Sequence, residues 1–307
     1  MIKISLILLQ LIFFIALAPF LSGLIAKLKN NLRMRKGQSV FQPYYNLIKL
    51  FSKGQVISET ASWIFRVTPF IVVSSTLTVT LLVPVFIASS PLHRVGDFLA
   101  IIFIFALSRF FLALAALDTG SSFGGMGSSR EMFISSLVEP TLCLVAFSLF
   151  LQFGSTNLLA FSGMHAVSVS SLVAGAALFL VTIAETSRVP VDNQETHLEL
   201  TMVHEAMVLE YSGRRLALIE LAAHLKQMVW FFLIAQIIFP IATVSLINLK
   251  GLFCWGLWYL ARILLIVIVM ALVEVSVAKM RLFRVADFLG FAFLLGIIAS
   301  ICAILGV

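Results

Sequence analysis

Eight nearly uncharged apolar runs, each about as long as a bilayer is thick, constrain this chain before any single residue does. They fall at about 4–26, 66–88, 97–117, 132–152, 166–185, 226–248, 255–275 and 285–305. A helix needs roughly 20 apolar residues to cross hydrocarbon. In lipid the backbone must satisfy its own N–H and C=O groups, and continuous runs of this length do so as helices. The expectation is an all-α polytopic membrane protein, eight transmembrane helices in one bundle, with residues 1–307 as a single integral membrane domain. With 61% hydrophobic residues, 28 Phe and a mean hydropathy of +1.10, no soluble core could enclose the apolar surface.

Basic residues set the orientation. Lys27, Lys29, Arg33, Arg35, Lys36, Lys49, Lys53 and Arg66 flank the first long connection. Arg130, Arg188, Arg214, Arg215, Lys226, Lys279, Arg281 and Arg284 belong to three more connections on the same side. Only Lys3, Arg94 and Lys250 stand opposite. The positive-inside rule then predicts a cytoplasmic-membrane protein with four cytoplasmic connections and both termini outside. It also assigns the net charge of +7 to topology rather than to nucleic acid. The first run is expected to be a retained span rather than a cleaved signal. Cys143, Cys254 and Cys302 lie in separate spans without CxxC spacing, which predicts packing roles and no zinc or Fe-S site in this chain.

Charges at or inside the spans point to function. Glu185, Arg188, Asp192, Glu195 and Glu199 follow closely at the end of an apolar run, and Glu139 lies inside another. An ionised group near hydrocarbon costs at least ~2.5 kcal/mol, so such acids must be protonated, paired or set in a wet cavity. At 100° per residue, Asp192, Glu195, Glu199 and Glu210 would share one face of an unbroken helix and titrate as a coupled set. Arg109 and Arg262 also fall inside spans, where either a structural ion pair or a wet path would account for them.

The connections carry weaker signals. Phe41, Tyr45, Ile48 and Phe51 recur at helical spacing, predicting an amphipathic interfacial helix in the first cytoplasmic loop. Residues 118–131 are rich in Gly and Ser, and lack the Lys-Ser/Thr ending of a phosphate loop. They are expected to form either a linker or a tight loop that admits close backbone approach. His204-Glu205 opens like a zinc-protease motif but lacks the second His, so no catalytic metal and no catalytic residue are assigned.

Three groups of residues resemble one family. They are Arg35-Lys36-Gly37 with Gln42-Pro43 and Lys49; Gly127-Ser128-Ser129-Arg130 with Glu139; and Ala184 to Asp192 with Glu195, Glu199 and Glu210-Tyr211-Ser212-Gly213. Together they are similar to the membrane subunit of respiratory complex I beside the quinone chamber, and to its counterparts in formate hydrogenlyase and hydrogenase-4 type complexes. Gln38 and Asn46, where complex I versions have Pro and an acid, and the insert 200–209 before Glu210 favour the hydrogenase branch and leave quinone binding open.

The resemblance implies an eight-helix subunit without a cofactor of its own. Its partners would be hydrogenase-like large and small subunits and Fe-S proteins on the cytoplasmic side, bearing Fe-S clusters and a NiFe site, together with antiporter-like membrane subunits. It assigns Glu139, Glu185, Asp192, Glu195, Glu199 and Glu210 as proton or coupling acids, and Arg35, Arg130 and Arg188 as charge partners near the chamber. The chain would couple electron transfer next door to proton or sodium translocation. The rival expectations are a stand-alone cation transporter, which this chain's lack of a paired inverted repeat disfavours, and a structural anchor.

Overall fold

A computed structural model of the protein describes residues 2–58, 60–84, 96–162, 168–192, 202–240 and 249–306. Ten α-helices appear among them: α1 (Ile2–Leu32), α2 (Gln42–Ser52), α3 (Trp63–Leu82), α4 (Phe98–Asp118), α5 (Ser122–Phe153), α6 (Val169–Glu185), α7 (His204–Val208), α8 (Gly213–Ile238), α9 (Leu249–Ser276) and α10 (Leu282–Leu305). Seven of these, α1, α3, α4, α5, α8, α9 and α10, are long and apolar enough to cross a membrane, and α6 is a shorter apolar helix. No strand occurs among the described residues beyond an isolated bridge between Asp97 and Asn157.

The order of packing follows from which helices are apolar all round. Residues 227–237 of α8 are buried without interruption, which makes it the central helix. It packs against α1, α3, α6 and α9, while α10 lies across α5 and α6, and α4 joins α3 to α5. Large apolar residues such as Phe70, Phe103, Phe110, Phe291 and Ile298 are left exposed on the outer helices. A helix bundle solvated by lipid has that surface.

Three sequence expectations are corrected. The Gly/Ser stretch is not a linker, because α5 starts at Ser122, capped by the Ser121 hydroxyl accepting from the Gly124 N–H. The small residues instead admit α7: a Cβ on Gly127 would lie 2.9 Å from Ala206 Cβ and 3.0 Å from the Val203 carbonyl oxygen. Gly127→Val is therefore expected to push α7 off α5, readable as faster proteolysis near residues 202–212. Likewise α8 begins at Gly213, well before the apolar run at 226, because polar residues continue the helix where tertiary contacts support it. Finally, no unbroken acidic helix follows Glu185. The chain turns at Thr186 and Ser187, the latter at φ 51°, and Asp192 and Glu210 both lie outside the described helices, so the two share no helical face. Glu195 and Glu199 lie outside the described residues.

Buried cations and amides finish the helix ends away from the basic connections. Gln10 Nε2 donates to the carbonyls of Thr80 and Val83, at 2.8 and 2.7 Å, closing the C-terminus of α3. Arg262, deep in α9, donates to the carbonyls of Ala235 and Phe239 at the end of α8 and lies 5.8 Å from the Tyr259 ring. It is thus a helix cap with a favourable charge for a C-terminus. Arg262→Leu should destabilise the bundle by about 1–3 kcal/mol, the cost of orphaned buried carbonyls, measured as a lower midpoint in detergent thermal unfolding.

Candidate functional site

At the end of the bundle where the basic connections gather, a cavity of about 350 Å³ enters between α1, α3, α4 and α8. Its mouth is framed by Gln38, Pro43 and Asn46 of the first connection, and its floor by Thr76 of α3 and Ser108 and Arg109 of α4. Counted at 1.5 Å per residue from the near ends of α3 and α4, the floor lies roughly 13–20 Å deep, about half the thickness of a hydrocarbon core.

The first connection is held over this mouth by close backbone fits. A Cβ on Gly23 would lie 2.0 Å from the Val40 carbonyl oxygen, so only glycine lets residues 38–43 lie against α1. Further on, Val56 N–H donates to the Ser212 hydroxyl at 2.8 Å, and that hydroxyl is 2.8 Å from the Val56 carbonyl. Gly213 at φ 53° follows directly, with its Cβ direction filled by the Gly54 carbonyl at 2.2 Å. Tyr211, stacked on Phe65 at a centroid distance of 4.0 Å, donates its hydroxyl to the Phe65 carbonyl.

Three charge clusters line the wall or stand just behind it. Glu185, the last residue of α6, has Arg109 Nη2 2.7 Å from one oxygen and Lys226 Nζ 2.7 Å from the other. Arg109 also donates to Ser135 Oγ at 2.7 Å, and Glu131 lies within the electrostatic reach of Arg109 and Lys226. Nearer the mouth, Glu274 of α9 receives Lys29 at 3.2 Å and Arg188 at 3.1 Å, and Arg188 reaches Gln227 Oε1 at 2.9 Å. Ser22 joins that group, donating to Gln227 Oε1 and lying 2.8 Å from His224 Nδ1. Third, Asp192 is 1% exposed. It accepts from Lys279 at 3.0 Å and from the N–H groups of Val203 and His204 at 3.1 and 3.3 Å. Burial holds the neighbouring His204 imidazole below its usual range, against the opposing pull of Glu205.

Such pairs are poor stabilisers, because desolvation offsets most of the Coulomb gain. Their chemical interest is that carboxylates and cations alternate along a polar wall. Gln227 Nε2, Arg188 Nε and Arg109 Nε are buried there without a hydrogen-bond partner among the described residues. At about 30 Å³ per water, the cavity has room for on the order of ten waters to satisfy them.

Of the expected site residues, Glu185, Asp192 and Arg188 line the cavity. Glu139 sits on the outer face of α5 with its side chain 45% exposed, 4.0 Å from Arg109. Arg130 is pinned to the Met202 carbonyl at 2.9 Å, while Arg35 and Glu210 are exposed and outside the cavity wall. Sequence reasoning passed over Lys29, Glu131, Lys226 and Glu274. Glu274 carried a usable signal, since an acid within the last turns of an apolar span is costly unless paired. Arg109, noted but unassigned from sequence, proves to be the floor of the cavity.

Comparison with known proteins agrees with this architecture. The sequence pattern of the NADH dehydrogenase family matches residues 4–305. Formate hydrogenlyase subunit 4 of Escherichia coli (strain K12) is 33% identical over 280 residues, covering 90% of each chain. Hydrogenase-4 component C of the same strain is 32% identical over 293 residues, covering 92% of this chain and 91% of the relative. In fold, the chain is similar to a chain of the membrane-bound sulfane sulfur reductase, an archaeal respiratory membrane complex, with a TM-score of 0.82 at 18% identity over 99% of this chain and 100% of that one. By its match over nearly its whole length and its identity to these relatives, the chain belongs to the NADH dehydrogenase family.

Proposed function

We propose that this protein is the membrane-embedded coupling subunit of a hydrogenase-type oxidoreductase complex. Electron transfer in attached subunits shifts the charge balance of its cavity and so drives ion movement through the bundle. One observation carries the reading: a polar cavity runs from the basic end to mid-bundle and stops at the Arg109–Glu185–Lys226 cluster. A stand-alone anchor would have no use for so many costly buried charges.

In this reading the basic end faces the cytoplasm with both termini outside, and α6 is the eighth span, roughly 25 Å long for its 17 residues. Helix α2, exposing Tyr45, Ile48 and Phe51, lies along the membrane interface beside the cavity mouth. Hydrogenase-like large and small subunits and Fe-S proteins dock on the basic connections, bearing the Fe-S clusters and the NiFe site, and antiporter-like subunits adjoin in the membrane. The two curated relatives, named for formate hydrogenlyase and hydrogenase-4, support that choice of partners. Glu139, Glu185, Asp192, Glu195 and Glu199 are assigned as coupling acids, with Arg109, Arg130 and Arg188 as their charge partners.

Glu185→Gln tests the assignment. The amide keeps the shape and one acceptor oxygen but carries no charge and cannot exchange a proton. The complex should assemble, while proton movement per electron transferred, followed with a pH-sensitive dye in sealed vesicles, falls at least tenfold. Unchanged proton movement together with unchanged redox activity would remove Glu185 from the coupling path.

A further inference from the structure

Two separate hollows meet at one guanidinium. The cavity described above ends at Arg109 on its inner side. On the other side, a second hollow of about 370 Å³ opens on the outer face of the bundle between α4 and α5, lined by Phe103, Leu107, Phe110, Met132 and Glu139, and Arg109 forms its back wall too. Arg109 itself is 6% exposed and is fixed in place by Glu185 and Ser135, each at 2.7 Å. Carboxyls stand on both sides of it: Glu131 and Glu185 inward, and Glu139 outward at 4.0 Å.

We propose that Arg109 makes the passage between these hollows selective for protons over sodium. The inference rests on the coupling reading above and narrows it to one ion. A guanidinium does not lose its proton in a protein, so its charge is permanent whatever the state of the carboxyls around it. A sodium ion crossing here would shed its water and stand within a few ångströms of that charge in a poorly screened interior. Both oxygens of Glu185 are already engaged by cations, one by Arg109 and one by Lys226, and so are poorly placed to replace the lost water. A proton feels the same fixed charge, which disfavours protonation of the inner carboxyls, but it needs one oxygen lone pair where sodium needs a shell of oxygens. It leaves the O–H of the Glu139 carboxyl and joins an inner carboxylate, Glu131 or Glu185, so that one acid is neutralised as the other ionises. Arg109 keeps all its own protons and compensates whichever carboxylate is charged. It acts through the carboxyls and is a positioning and selectivity residue rather than a member of the proton chain.

Glu139 can be reached from the bilayer side, which gives a readout that needs no turnover. The intact complex is treated with a hydrophobic carbodiimide, which modifies protonated carboxyls. Sodium chloride is compared with choline chloride at equal ionic strength and one fixed pH, and modification of Glu139 is followed by peptide mass spectrometry. Equal modification in the two salts is the expected result, in the wild type and in Arg109→Lys. In Arg109→Gln, sodium should slow the modification severalfold, because the carboxyl oxygens that the guanidinium occupied become free to ligate it. Sodium protection of the wild type, or no modification in either salt, overturns the proposal. So does an assembled Arg109→Gln complex that stays indifferent to sodium. Should Arg109→Gln fail to assemble, Arg109→Gln combined with Glu185→Gln, which leaves no orphaned partner of that pair, takes its place: sodium-dependent slowing at Glu139 is again expected, and indifference to sodium overturns the proposal. Because labelling proceeds without electron transfer, its failure is distinct from failure of the coupling assignment, which the Glu185→Gln vesicle assay reads separately.

Discussion

Arg109→Leu should be among the most damaging single substitutions in this chain, lowering stability by about 3–5 kcal/mol, the usual cost of removing one partner from a buried ion pair. The loss comes less from the missing attraction than from what stays behind. Glu185 keeps a buried carboxylate with only Lys226 facing it, and Ser135 loses its charged donor. Arg109→Lys keeps the charge but gives up the two-armed reach to Glu185 and Ser135, and should cost clearly less. Thermal unfolding of the solubilised complex would rank the three proteins. A double substitution, Arg109→Leu with Glu185→Leu, should regain part of the loss, since apolar replacement of both partners leaves no orphaned charge between them. If Arg109→Leu unfolds with the wild type, the cluster carries none of the electrostatic weight given to it.

The second large effect is expected at Gly23. A side chain there points into the Val40 carbonyl oxygen at 2.0 Å, with the Val40 carbonyl carbon at 2.9 Å and Pro43 Cδ at 3.2 Å, so no rotamer change relieves the clash. Gly23→Val must lift residues 38–43 off α1, carrying Gln38, Pro43 and Asn46 away from the cavity mouth. Overpacking of this kind costs about 1–3 kcal/mol. The functional consequence should be larger, because the framed entrance is lost. A cysteine placed at Thr76 on the cavity floor would measure this: its alkylation by a water-soluble maleimide should accelerate severalfold in the Gly23→Val background. An unchanged rate would mean that the first connection does not cover the mouth.

How much of this was legible in the sequence depends on which force sets each feature. The apolar runs located seven long apolar helices and the shorter α6 because lipid contact acts residue by residue along a helix and leaves a local record. Helix ends were misplaced where that record stops. Ser122 to Glu131 and Gly213 to Leu225 are helical because they pack on α7 and α3, and hydropathy does not register such contacts. The acids near Glu185 were recognisable as costly, yet assuming one unbroken helix grouped Asp192 with Glu210. The turn at Ser187 sends the first inward to Lys279 and leaves the second exposed. The pairing of Lys29 with Glu274, 245 residues apart, leaves no local trace at all. Charge inside a span announces that a partner exists, while the identity of that partner is a property of the folded bundle.

The junction of Val56 with Ser212 and Gly213 has a mechanical consequence. Two 2.8 Å contacts and a glycine with no room for a side chain tie the loop to the first turn of α8, and Arg214 adds a contact to the Phe51 carbonyl. The same rod carries His224, Lys226 and Gln227 some three to four turns further in. A load applied to the loop would therefore be passed to a stiff shaft that also carries the Lys226 ammonium, 2.7 Å from Glu185.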